Sequence, residues 1–152
     1  MEDLIDQISR GNVSQVKTVL ASAIVVLALY QVFLMAVVYG KLKLPFLDGR
    51  AASFTHRAVG DTIVLLALIV GFMCIGYFEV GDGIEHARDG ESGRAAVHVG
   101  AAFLLFAVLA LKIVVVRWWH SMGRFLPLLG LSVLVLFLIV WATSAGDYLL
   151  GG

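Results

Sequence analysis

The chain has 152 residues, 61% of them apolar and 14% charged, and its formal net charge is zero. Soluble domains keep roughly a quarter of their residues charged, so this composition excludes a water-soluble fold and predicts an integral membrane protein. Zero net charge singles out no partner beyond the lipid bilayer, and no nucleic-acid partner is expected.

The first seventeen residues are polar, with acidic groups at the start. Leu4, Ile5 and Ile8, with Asp3 or Asp6 ahead of them, would make either a short interfacial helix or a frayed tail. No small-residue cleavage site stands out and the first apolar run is full length, so no cleavable signal is expected. Four apolar runs predict helices near 18–40, 53–78, 95–116 and 125–149, each able to cross a hydrocarbon layer of roughly 30 Å. Helix is required because lipid offers no partners to free backbone groups, and no segment alternates like a barrel strand. The expected fold is all-α, an integral membrane four-helix antiparallel bundle forming a single domain over 1–152. Short loops make successive helices antiparallel neighbours.

Between helices one and two, Pro45 and Asp48-Gly49 signal a turn. Helix two carries His56, Arg57, Gly60, Asp61, Gly71, Met73, Cys74 and Gly76. Arg57 and Asp61, four apart, are positioned to neutralise each other. The lone Cys74 cannot form an internal disulfide and reads as a buried structural thiol. Loop two, from Glu79 to about Gly93, is acidic and holds His86. Helix three carries His98, Gly100 and Lys112, and Trp118, Trp119 and His120 follow it. Pro127 falls in the first turn of helix four, where its missing N–H costs nothing. Trp118, Trp119 and Trp141 fit an interfacial aromatic belt. The helix glycines serve close packing or leave room for a flat ligand.

Loops one and three, with the adjoining helix ends, hold Lys41, Lys43, Arg50, Arg57, Lys112, Arg117 and Arg124. The opposite side holds Arg10, Lys17, Arg88 and Arg94. This seven-to-four excess places loops one and three in the cytoplasm and both termini outside, in the cytoplasmic (inner) membrane.

His56 and His98 each lie inside a membrane helix, where an imidazole needs a partner. Mirroring helices two and three about their loop puts His98 level with Met73 and Cys74. The same construction puts His56 between Lys112 and His120, the latter if helix three continues through Trp119. The two histidines are separated by roughly 25 Å of depth, so they cannot share one metal ion. The partner favoured for them is haem iron. An outer site would take His98 with Met73, or with His86 folding back, and histidine plus methionine is a known axial pair. An inner site would use His56 with His120 or a neutral Lys112. Arg57 and Arg94 would hold haem propionates through charge-assisted hydrogen bonds, as would a snorkelling Lys112. The expected cofactor is haem b, one at the outer site, with a second at His56 as the alternative count.

Taken together, His56-Arg57 with Gly60, Cys74 with Gly76, Arg94 with His98, Lys112, Arg117, Leu126-Pro127 with Gly130, and Trp141 with Thr143-Ser144-Ala145 carry a resemblance. Over helices two to four the chain resembles small four-helix bacterial and archaeal membrane proteins that look like b-type cytochromes. In that pattern a histidine tends to precede the cysteine, where this chain has Met73. If that position ligates haem, the resemblance implies His98/Met73 coordination or loss of the site.

The expected function is therefore haem-mediated electron transfer within or across the membrane. The partner would be a quinone, a redox protein, a larger respiratory complex or a second copy in a homo-oligomer. Two other readings stay open. One is a non-redox accessory or assembly subunit whose histidines only join helices; the other is a small proton or solute conduit using His56, Asp61, Lys112 and His98. No arrangement for hydrolytic catalysis and no phosphate-binding loop is present.

Overall fold

The computed structural model describes residues 13–77, 93–146 and 149. The short helix expected at Leu4, Ile5 and Ile8, and loop two with His86, lie outside the described residues. Four long helices form: α1 (Val13–Val38), α2 (Gly49–Tyr77), α3 (Gly93–Arg117) and α4 (Leu126–Trp141). A 3₁₀ turn, His120–Phe125, leads into α4, and a π-helical turn, Ala142–Gly146, extends it. The four spans are long and apolar enough to cross a membrane. The chain is an all-α, multi-pass membrane bundle.

Capping chemistry, more than hydropathy, decides where the helices begin and stop. α2 starts at Gly49, earlier than the apolar run suggests, because Asp48 is its N-cap. The Asp48 Oδ1 accepts the Ala51 N–H at 2.7 Å, and the Asp48 carbonyl accepts the Ala52 N–H at 2.9 Å. Asp48-Gly49 is thus a helix start, where a turn was expected. α1 stops at Gly40, which takes a φ of 68°. There the Gly40 N–H donates to the Val37 carbonyl and the Lys41 N–H to the Ala36 carbonyl, both at 2.9 Å. This pairing closes a Schellman motif, and glycine reaches the required left-handed conformation without a Cβ penalty. The connecting loop folds back over the helix ends, with Leu44 and Leu47 bridged to each other and packed against Leu34, Val37 and Ala52.

The core is one apolar layer drawn from all four helices. Ile24 and Ala28 of α1 meet Ile63 and Ala67 of α2, Leu105 and Leu109 of α3, and Val133 and Phe137 of α4. Close backbone approach joins α1 to α2, α1 to α4, and α3 to α4. The consecutive helices α2 and α3 make no comparably extensive approach. They touch through a side chain: the Phe106 ring of α3 lies over Gly71, where an added Cβ would come within 2.9 Å of Phe106 Cζ. The space left by Gly71 is therefore taken by one of the protein's own aromatic rings. Gly100, by contrast, has no atom within 4 Å of where its Cβ would be.

Gly71→Val should destabilise the bundle by about 1–3 kcal/mol through overpacking against the ring. Phe106→Leu in the same chain should recover most of that loss. Unfolding of the single and double variants in mixed micelles measures both effects.

Candidate functional site

Polar side chains gather at two levels. The first is the end where α1 and α3 begin and α2 and α4 finish. There His98 Nδ1 lies 3.0 Å from Thr143 Oγ1. Thr143 sits in the π turn that ends α4, and its hydroxyl donates to the Ile139 carbonyl at 2.8 Å, with the Val140 carbonyl at 3.2 Å. A hydroxyl has one proton. With that proton spent on the backbone, the oxygen faces His98 as an acceptor and the imidazole Nδ1–H is the donor. In that arrangement the His98 Nε2 carries the lone pair, an assignment that follows from the Thr143 proton lying on the backbone. Lys17 of α1 lies within electrostatic reach of both His98 and Cys74.

Met73 is buried at the same end, 7% exposed, and packs against Val16 and Leu20 of α1. His98 is engaged with α4 and Met73 with α1, so the two residues expected to face each other have their contacts on different helices. Trp141 also departs from its expected role. Half-buried, it donates its indole N–H to Ser22 Oγ at 3.0 Å and ties α4 to α1. Trp118 and Trp119 are 68% and 53% exposed, as members of an interfacial belt would be.

The second level lies toward the opposite end. His56 stands about two turns inside α2, deeper than the apolar run implied, because the helix begins earlier. Gln31 of α1 donates its side-chain N–H to the His56 backbone carbonyl at 2.8 Å. Gln31 Oε1 and His56 Nδ1 are both buried without a hydrogen-bond partner. A Cβ at Gly60 would meet Gln31 Nε2 at 3.6 Å, an ordinary contact distance, so the pairing does not depend on the glycine. Lys112 Nζ reaches α4, 3.9 Å from where a Gly130 Cβ would be, and lies within electrostatic reach of His56. The continuation of α3 through Trp119, on which the placement of His120 beside His56 depended, is not formed. α3 ends at Arg117, and His120 opens the 3₁₀ turn that follows. Arg57 and Asp61 are exposed on α2, and Arg94 is exposed at the start of α3.

The sequence reading did not single out Gln31, Ser22 or Thr143 as partners of these groups. Gln31 was the most accessible of the three, as the one amide in the long apolar stretch of α1. Among the described residues, no three or more His, Cys, Asp or Glu converge as a bare metal ion would require.

These features define a small multi-pass membrane protein with single histidines at two depths, one joined through its ring and the other through its backbone carbonyl to a polar group on an adjoining helix. The chain belongs to the family described as "Family of unknown function (DUF6529)", whose pattern matches residues 5–151. That span includes α1 as well as the three helices on which the resemblance rested. No curated protein and no solved structure matches the chain.

Gln31→Leu removes one hydrogen bond and one unpaired carbonyl oxygen together. Because those effects oppose each other, stability should change by less than about 1 kcal/mol. Thermal or denaturant unfolding of the variant checks this.

Proposed function

We propose that this protein is a small b-type cytochrome of the cytoplasmic membrane, with both termini outside, that moves electrons within or across the bilayer. The observation that carries the reading is the contact between His98 Nδ1 and the Thr143 hydroxyl. Histidines that bind metals commonly donate their second ring N–H to a neighbouring oxygen, which orients the ring and raises the basicity of the ligating nitrogen. Thr143 stands in that relation to His98 at 3.0 Å.

A sparse set of donors also favours haem over a bare ion. The porphyrin supplies the equatorial ligands, so the protein adds only axial groups. His98 would hold the iron through Nε2 at the end where Lys17 adds positive charge, and Arg94 begins α3 at that same end. Met73 would have to turn from Val16 and Leu20 to help His98 hold the group. At the other level, His56 and Lys112 are the candidates for a second haem, and the unpaired His56 Nδ1 marks a buried group whose hydrogen bonding is incomplete. Haem, when bound, supplies reversible one-electron chemistry. The chain's residues supply the ligand, hold its orientation, place cations at the margin and exclude water through apolar walls. The redox partner would be a quinone, a redox protein or a larger respiratory complex.

The reading predicts a Soret band and a sharp reduced α-band in the purified protein, with the haem count given by pyridine hemochrome. His98→Ala should abolish the signal of the outer haem. Thr143→Val should keep the bundle folded but weaken haem retention by about 10–100-fold, as loss of an orienting partner does. A colourless protein from haem-replete cells, unable to take up added haem, would overturn the proposal. It would leave the imidazoles as interhelical hydrogen-bonding groups of a non-redox subunit.

A further inference from the structure

Asp61 is misplaced for a helix that faces only lipid. It is exposed on α2, roughly 18 Å along the axis from Gly49 and close to the middle of the Gly49–Ile75 span. Arg57, one turn earlier, is exposed as well. The other exposed charges of the described spans, Arg50, Arg94, Arg117 and Arg124, all lie in a first or last turn, where water and headgroups are within reach. A carboxylate and a guanidinium facing mid-membrane hydrocarbon are costly, and such groups almost always face protein or a water-filled cavity.

The surrounding face has the pattern of a packing seam. Phe54, Ala58, Asp61, Leu65, Leu68, Phe72 and Ile75 are all exposed, and they alternate in steps of four and three. That spacing is the heptad seam of paired helices. Ile63 and Ala67, the α2 residues buried in the chain's own core, lie on the other side of the helix. α2 therefore has two packing stripes, and the described residues cover one of them.

We infer that the outward stripe of α2 is the contact between two copies of this chain, related by a twofold axis along the membrane normal. Copies inserted in one orientation meet residue against residue at equal depth, and a twofold contact pairs each surface with itself. A stripe bearing only Asp61 would repel its own copy. Flanking this stripe, Arg57 places a cation one turn from the anion, so each Asp61 comes within reach of the partner copy's long Arg57 side chain, and the exchange is reciprocal. Ala58, lying between the two, lets the helices approach closely. A charged pair set among apolar positions also fixes the register, as a single buried polar residue does in a coiled coil. The inference is independent of whether the bundle binds haem.

The test is oxidative cross-linking in native membranes on a Cys74→Ser background. Leu65→Cys and Leu68→Cys should each give a product of twice the chain mass. Leu104→Cys, exposed on α3, should give little or none. Asp61→Leu should lower the Leu65→Cys product at least several-fold, and exchanging the charges with Arg57→Asp and Asp61→Arg should restore it. Equal cross-linking from Leu65→Cys and Leu104→Cys would overturn the inference, as would a product containing a different protein. A monomeric mass for the unsubstituted protein in lipid nanodiscs would overturn it whether or not the cysteine variants accumulate.

Discussion

Hydrocarbon accepts no hydrogen bonds, so each polar group inside this bundle must be satisfied by the protein or carry the cost of isolation. The arrangement of the helices follows that demand as closely as it follows apolar packing. Thr143 satisfies His98 from α4, Ser22 satisfies Trp141 from α1, and Gln31 crosses from α1 to the backbone of His56. Each contact contributes only about 0.6 kcal/mol on average in such settings. Their direction matters more than their strength, because each joins a different pair of helices at a defined depth.

The π turn at the end of α4 shows how local backbone geometry serves this demand. Thr143 and Ser144 turn their hydroxyls back onto the carbonyls of Ile139 and Val140. Back-bonding of this kind loosens a regular helix and favours a wider turn. The same step that satisfies the Thr143 proton leaves its oxygen facing His98. At the other level no such completion occurs, and Gln31 Oε1 and His56 Nδ1 remain unpaired. His98 Nδ1 is thus paired at one end of the bundle, whereas His56 Nδ1 at the other is not.

The helices were legible in the sequence because long apolar runs have no alternative structure in a membrane. Their first residues were less so. The Asp48-Gly49 pair signals both a turn and an N-cap, and only the Ala51 and Ala52 amides show which role it takes. The two embedded histidines could be picked out from the cost of placing them there, but their partners could not. Mirroring residue numbers about a loop gives depth, not the direction in which a side chain points. That construction paired His98 with Met73 across α2 and α3, whereas His98 contacts α4 and Met73 packs on α1. It also carried α3 through Trp119 to bring His120 near His56, although the helix ends at Arg117. Gln31 and Thr143 were visible as polar residues in apolar runs, but nothing in the sequence pattern linked them to a particular imidazole.

The weak backbone approach between α2 and α3 has a consequence for how the chain is made. α1 with α2, and α3 with α4, are two helical hairpins, joined most closely through α1 and α4. The Asp48 cap, the Gly40 turn and the Leu44–Leu47 loop all lie within the first hairpin. During synthesis that hairpin can therefore complete its own contacts before the second leaves the ribosome. The second hairpin brings Trp141 for Ser22 and Phe106 for Gly71. Assembly then becomes the docking of two preformed units, with the polar register between them supplied by whichever arrives last.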